Sequence, residues 1–300
     1  MWLRHHGSVL VGVVDVGSNT VRLHVARGGE AVHGARELLG LGESVERLGS
    51  IPEPKLTEVS VCVAEYVAEA HRLGAERVEV LVTSPGRQAA NGAELLERLQ
   101  AAAQVPVRLL SAMDEARLAF LGATAATRTP ARKLVAVCDV GGGSTQISVG
   151  TPRGGPEWAH SVDVGSMRLT SRCLQDDPPG VAALDAARAE VGRYLEDVVP
   201  PLPKTALAVG GSARALRKIV GSPLLGFAEM SAAADLLASV ATAEITARFD
   251  IAPARARTLP AGVVILAAVS ERLGVPLRVV PGGIREGAVI ELETASRAAA

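Results

Sequence analysis

Two short segments of this chain repeat one order of residue types. The first is Val13-Val14-Asp15-Val16-Gly17-Ser18-Asn19-Thr20, followed by Val21-Arg22-Leu23-His24-Val25; the second is Val137-Cys138-Asp139-Val140-Gly141-Gly142-Gly143-Ser144-Thr145, followed by Gln146-Ile147-Ser148-Val149. In each, an apolar run ends in an aspartate, a turn of small residues follows, and a second run alternates in polarity. Small residues let backbone N–H groups converge on an anion, because no side chain blocks the approach. An aspartate at a strand end suits a hydrated Mg²⁺, which prefers oxygen ligands and keeps several waters. The chemistry these residues suggest is phosphoryl transfer. Gly17, Ser18, Asn19, Thr20 and Arg22 in the first copy, and Gly141, Gly142, Gly143, Ser144 and Thr145 in the second, are the candidate phosphate ligands. Asp15 and Asp139 are the candidate metal ligands.

A single Asp-x-Gly turn is commonly a structural hairpin, and its residues need no ligand to explain them. Two copies, Asp15 and Asp139 lying 124 residues apart, make an internal duplication, which is a statement about architecture. The signatures of other nucleotide loops are absent: there is no G-x-x-x-x-G-K-[ST], and neither glycine run opens a helix. The period-two alternation after each turn is strand behaviour. Phosphates held on β-hairpin turns resemble the sugar-kinase, Hsp70 and actin superfamily. That resemblance implies an α/β fold of two actin-like (ribonuclease H-like) domains flanking a central cleft, with the two turns facing each other across it.

These turns must be carried by α/β layers. Apolar residues make up 48% of the 300 positions and aromatics only 2%, so the core is aliphatic, and the length suits two domains. The net charge of −1 gives no global reason to expect nucleic acid or an anionic membrane as partner. A polyanionic substrate would instead need a local cluster of arginines. Cys62, Cys138 and Cys173 have no metal-like spacing and fit a reducing, cytoplasmic setting. The apolar run after Arg4-His5-His6 is interrupted by Asp15, so a strand is expected rather than a signal peptide or membrane span.

After the first hairpin a turn-rich, charged stretch (Gly40, Gly42, Gly49, Pro52, Pro54) is expected, then a helix over Thr57–Leu73 capped by Thr57. A strand over 78–83 should run into the loop Ser84–Asn91, with further helices at 93–102 and after Ser111. The second hairpin should open a second domain, followed by a helix over 181–195. A strand at 207–209 should then enter the Gly210-Gly211-Ser212 turn. Two alanine-rich helices follow, the second opened by Leu259-Pro260-Ala261-Gly262, then a strand near 275–280 and a C-terminal helix. The expected domains are 1–125, with the helix at about 286–300 packing back on it, and 126–285.

Ser111-Ala112-Met113-Asp114-Glu115 begins a helix in which Ser111 and Asp114 resemble a capping box. Glu115 then has two readings. It is an exposed first-turn glutamate favoured by the helix dipole, or a carboxylate placed to orient a water for attack on phosphorus. Periodicity does not choose between them. The whole chain, however, resembles the exopolyphosphatase / guanosine-pentaphosphate phosphohydrolase (Ppx/GppA) family. The resemblance is carried by DVGSNTVRL at Asp15–Leu23, TSPGRQAAN at Thr83–Asn91, SAMDEARLAFLGA at Ser111–Ala123 and DVGGGSTQI at Asp139–Ile147. It continues in AVGGSARAL at Ala208–Leu216, RARTLPAGVVIL at Arg255–Leu266 and PGGIREG at Pro281–Gly287.

By this resemblance Glu115 is the catalytic glutamate, Arg87 and Asn91 belong to the substrate-phosphate loop, and Gly210, Gly211 and Ser212 form a further substrate turn. The implied reaction is Mg²⁺-dependent removal of terminal phosphate from inorganic polyphosphate or guanosine pentaphosphate, with a homodimer as candidate assembly. Departures are Ser111-Ala112-Met113 where Ser-Gly commonly precedes the acidic pair, Asp114 for a frequent Glu, and Pro85-Gly86 before the loop arginine. Longer members carry extra C-terminal domains, whose functions are not expected here. Arg285 either faces the cleft or forms a structural pair with Glu286, the second being favoured. Two alternatives remain: an ATP-dependent kinase, for which the Gly210–Ser212 turn would serve adenosine, and a polyphosphate or alarmone sensor without catalysis.

Overall fold

A computed structural model describes residues 9–127 and 129–299; Arg4, His5 and His6 lie outside them. The chain divides into two compact units, one running up to Ser111 and resuming at Arg285, the other spanning Ala112–Ile284.

In the first unit the order is β1 (Leu10–Val16), β2 (Thr20–Arg27), β3 (Glu30–Leu38), α1 (Leu41–Leu48), α2 (Glu53–Arg72), β4 (Arg77–Val82), α3 (Ser84–Gln88), α4 (Gly92–Ala103) and β5 (Val107–Leu109). The second unit has α5 (Ala112–Ala125), β6 (Val135–Val140), β7 (Thr145–Thr151), β8 (Gly155–Val162), α6 (Ser166–Cys173), α7 (Val181–Leu195), β9 (Ala206–Val209) and α8 (Gly210–Val220). It is completed by β10 (Leu224–Leu225), α9 (Phe227–Ser239), α10 (Thr242–Phe249), α11 (Pro253–Leu273) and β11 (Leu277–Val279). The last helix, α12 (Ile284–Ala299), belongs almost wholly to the first unit.

The first sheet has the order β3-β2-β1-β4-β5, and the second, read from its β8 edge, β8-β7-β6-β9-β11-β10. In both, the strand ending in aspartate pairs antiparallel with its hairpin partner and parallel with the strand that follows the crossover. The registers coincide: Asp15 faces Arg22 and Val16 faces Val21, while Asp139 faces Gln146 and Val140 faces Thr145. This doubled order is the actin-like, ribonuclease H-like fold. β1 and β6 are buried along nearly all their length, which is why they read as continuous apolar runs.

Three expectations need correction. The stretch after the first hairpin contains β3 and α1. β3 is an edge strand with mostly exposed side chains, so it has no apolar alternation to read. Helix α2 starts at Glu53, not Thr57, because Pro54 in a first turn needs no N–H partner and favours the helix start. Leu259–Gly262 does not open a helix; Pro260 lies inside α11. An interior proline costs roughly 3 kcal/mol, and here burial offsets it, since nearly every residue from Thr258 to Leu266 is inaccessible to solvent.

The boundary expected after residue 125 falls instead before α5. Ala119, Phe120 and Ala123 of α5 share a core with Val135, Val137, Leu207 and Val209 of the second sheet, so the helix and its Glu115 belong to the second unit. Helix α12 is fastened to the first unit: Arg77 Nη1 donates to Ser296 Oγ at 2.9 Å, Glu293 Oε1 accepts from Gly29 N at 3.2 Å, and Arg108 bridges Glu79 and Glu291. Among the described residues no single helix is long and apolar enough to cross a membrane. Phe120 is 1% exposed, so truncating it leaves a cavity under the second sheet. Phe120→Ala should destabilise the protein by about 3–5 kcal/mol in chemical denaturation; a loss below about 1 kcal/mol would mean α5 is not anchored there.

Candidate phosphate site

Each aspartate turn is tied back through its carbonyls. In the first unit Gly17 N donates to Thr20 O at 3.0 Å and closes the turn. The carbonyl of Asn19 then accepts from Leu39 N (3.2 Å) and Gly40 N (3.1 Å), and that of Ser18 from Gly42 N (2.7 Å). The second unit repeats this. Gly141 N donates to Ser144 O at 3.0 Å, Ser166 N reaches Gly141 O at 2.9 Å, and Met167 N and Arg168 N reach Gly142 O at 3.0 and 3.1 Å. In both cases the start of the following helix takes the turn's carbonyls. The N–H groups of Ser18, Asn19, Gly142 and Gly143 have no protein acceptor among the described residues. A row of unclaimed amides is an anion-binding concavity. Gly165 lets α6 come this close: a Cβ there would sit 2.4 Å from the Gly142 carbonyl.

The aspartates stand at the foot of these turns. Part of Asp15 remains accessible, yet burial pushes its carboxyl above the usual carboxylate range, against the opposing pull of Arg285 and then Arg22. Asp139 is 9% exposed, and Gly210 makes room for it: a Cβ at Gly210 would meet Asp139 Oδ1 at 2.6 Å, and φ there is +89°. Gly211 likewise admits the guanidinium of Arg255, whose Nη1 donates to Ser212 Oγ at 3.3 Å. Among the described residues no group of three or more His, Cys, Asp or Glu side chains could hold a metal ion. The carboxylates of Asp15 and Asp139 are hard oxygen donors of the kind Mg²⁺ takes.

The other expected ligands separate into two groups. Arg22 Nε donates to Thr20 Oγ1 at 3.1 Å, and Arg87 Nη1 donates to Leu110 O at 2.6 Å. Ser144 Oγ accepts from Gln146 Nε2 at 3.0 Å and keeps its own proton for donation. Three more have their side chains engaged within the fold. Thr145 is fully buried and donates its hydroxyl to Val164 O at 2.6 Å, so it holds the strand rather than an anion. Asn91 accepts from Ile51 N and donates to Ile51 O, both at 2.9 Å, which makes it a brace for the loop before α2. Ser212 is 0% exposed and packs against Arg255 and Gly262.

Glu115 is 2% exposed, which removes the reading as a solvated first-turn glutamate. Burying a carboxylate is costly unless something compensates it, and sequence periodicity cannot reveal that burial. Arg285 lies 3.9 Å from Glu286, a loose pair, while also acting on Asp15. His24, on the same face as Asp15, is pushed toward the neutral form by burial, with Glu286 opposing this and Arg285 adding to it. Thr83 and Ser84, quoted only as part of a motif, touch the first turn directly: Thr83 Oγ1 donates to Val16 O at 3.2 Å and Ser84 Oγ lies 2.6 Å from Ser18 Oγ. Cys138, beside Asp139, is fully buried, and burial pushes its thiol well up, so it is inert.

Twin actin-like sheets, each carrying an anion-ready turn with an aspartate at its foot, define a protein built to handle phosphoryl groups. The sequence model of the Ppx/GppA phosphatase family matches residues 21–295, and the chain belongs to that family. It is 30% identical to exopolyphosphatase 1 of Mycobacterium tuberculosis over 93% of this chain and 87% of that protein. It is 24% identical to a guanosine-5′-triphosphate,3′-diphosphate pyrophosphatase of Aeromonas hydrophila over 96% of this chain but 60% of that longer protein. The crystal structure of an exopolyphosphatase-like protein, 25% identical, superposes with a TM-score of 0.86 over 96% of this chain and 100% of its own.

The raised pKa of Asp15 has a stability consequence. Below the unfolded value of 3.8 the group is protonated in both states; as pH climbs through the higher folded value, the buried charge costs stability. Asp15→Asn should therefore melt above the wild type at pH 7.5, with the gap closing below pH 3.8. A variant that melts lower at neutral pH would mean that Arg285 and Arg22 outweigh burial.

Proposed function

We propose that this protein is an exopolyphosphatase: it hydrolyses the terminal phosphoanhydride of inorganic polyphosphate, with guanosine pentaphosphate as the second candidate substrate. The observation that carries the reading is the repeated turn with its carbonyls tied back and its amides unclaimed. A phosphate chain offers many anionic oxygens, so each turn has a phosphoryl group to take. The amides of Ser18 and Asn19 serve one, and those of Gly142 and Gly143, with the Ser144 hydroxyl, the other. Arg22 and Arg87 supply the local positive charge that a net charge of −1 does not.

In this reading Glu115 accepts a proton from water as the water oxygen bonds to the terminal phosphorus. The bridging P–O bond breaks, and the shortened chain leaves with the electron pair. Catalysis of this kind is mainly positioning and electrostatic stabilisation of a loose transition state. Asp15 and Asp139 are the residues that would hold Mg²⁺, which when bound neutralises phosphate charge. Glu115 is 2% exposed, so it is held in place by the fold as a positioned base must be. The enclosed Ser212 hydroxyl weighs against the kinase reading, which needed the Gly210–Ser212 turn for adenosine.

The test is phosphate release in Mg²⁺ from short polyphosphate, long polyphosphate, guanosine pentaphosphate and ATP, each offered alone. A positioned general base contributes about 10²–10⁴-fold, so Glu115→Gln should lose at least about 10²-fold in turnover while folding normally. Near-wild-type turnover in that variant would remove Glu115 from the reaction. Tight binding of polyphosphate without release by the wild type would make the protein a sensor.

A further inference from the structure

The first turn is held from a second side that its own sequence does not show. Thr83 and Ser84 stand where β4 passes into α3. Thr83 N and Thr83 Oγ1 both donate to Val16 O, at 3.1 and 3.2 Å. One residue on, Ser84 Oγ lies 2.6 Å from Ser18 Oγ, across 66 residues of sequence. Both hydroxyls are nearly sealed, at 5% exposure for Ser18 and 4% for Ser84.

Two hydroxyls in contact carry two protons, and only one can lie between them. Among the described residues neither side chain has another partner. If Ser18 donated to Ser84, the Ser84 proton would be buried with no acceptor, which is unfavourable. If Ser84 donates, the free proton belongs to Ser18, in the turn that carries the unclaimed Ser18 and Asn19 amides. A phosphoryl oxygen only accepts hydrogen bonds, so it selects this second orientation.

We propose that Ser84 is a positioning residue: it donates to Ser18 Oγ and thereby holds the Ser18 hydroxyl as a third donor, beside the two amides, for a fully ionised phosphoryl oxygen. This rests on the reading that the first turn receives a phosphoryl group. Because the relay ends in a proton that must be accepted, it favours anionic oxygens over ligand groups that themselves donate. At this position the second turn has no hydroxyl, since Gly142 stands where Ser18 does and the equivalent strand end enters Gly210; its own hydroxyl donor is Ser144, two residues on, which accepts from Gln146. The two turns are thus unequal, with a side-chain donor at this position in the first alone.

A double-mutant cycle tests it, with Ser18→Ala, Ser84→Ala and the pair measured for binding of inorganic tripolyphosphate by calorimetry and for phosphate release. One neutral hydrogen bond is worth about two- to tenfold, so Ser84→Ala should weaken binding by roughly that factor. Added to Ser18→Ala it should cost nothing more, since its effect passes through Ser18. Ser84→Thr, which keeps the hydroxyl, should restore binding, and melting temperatures of the variants separate loss of the relay from loss of fold. Multiplying effects of Ser18→Ala and Ser84→Ala, with wild-type hydrolysis intact, would overturn the relay and leave the proposed function standing. Coupled effects on binding in a protein that releases no phosphate would do the reverse. A wild type that neither binds nor hydrolyses tripolyphosphate would overturn both.

Discussion

Backbone carbonyls and amides come in equal numbers, and a buried or half-buried turn must place both. In this protein the carbonyls of two small-residue turns are taken by the N–H groups that begin the next helical segment, at Gly42 in one unit and at Ser166, Met167 and Arg168 in the other. That arrangement leaves amides as the turn's remaining polar groups. Everything else at the site depends on it: the glycines that permit close approach, the aspartates at the strand ends, and the hydroxyls that add donors. An unclaimed N–H is unfavourable when nothing accepts from it, so the turns are built for an acceptor that arrives from outside.

The two units solve this problem with one topology and different side chains. Their registers agree residue for residue around Asp15 and Asp139, which fixes where each carboxylate stands relative to its turn. Beyond the backbone they diverge. Asp139 is accommodated by a glycine with positive φ, and the residue paired with it is the neutral Gln146, which donates to Ser144, where the first unit has the charged Arg22 donating to Thr20. Asp15 lies between Arg22 and Arg285 and keeps a carboxyl that resists ionisation. A charge held at a cost to stability is a common mark of a functional site, and Asp15 carries it.

Residues that share a motif do not share a job. Within the Thr83–Asn91 segment, Ser84 meets the turn, Arg87 donates to the Leu110 carbonyl, and Asn91 braces the Ile51 backbone. Within the second turn, Ser144 retains a donatable proton while its neighbour Thr145 gives its own to Val164. A motif records that a set of residues is needed together. Whether each one touches a ligand or supports one that does depends on where its few hydrogen-bonding atoms are already committed.

The sequence by itself determined the doubled turn and the strand character on both sides of it, because apolar runs, small residues and period-two alternation are local and leave their mark in order along the chain; the actin-like class and the family were legible through motifs that resemble known ones. It missed β3, whose side chains face solvent, and it placed α5 in the wrong unit, because which sheet a helix covers depends on partners far away in sequence. Tertiary structure alone decided the burial of Glu115, the room Gly210 gives Asp139, and the meeting of Ser18 with Ser84. Each is a contact across tens of residues or an exposure set by the whole fold, and neither quantity has a period that a linear sequence can display.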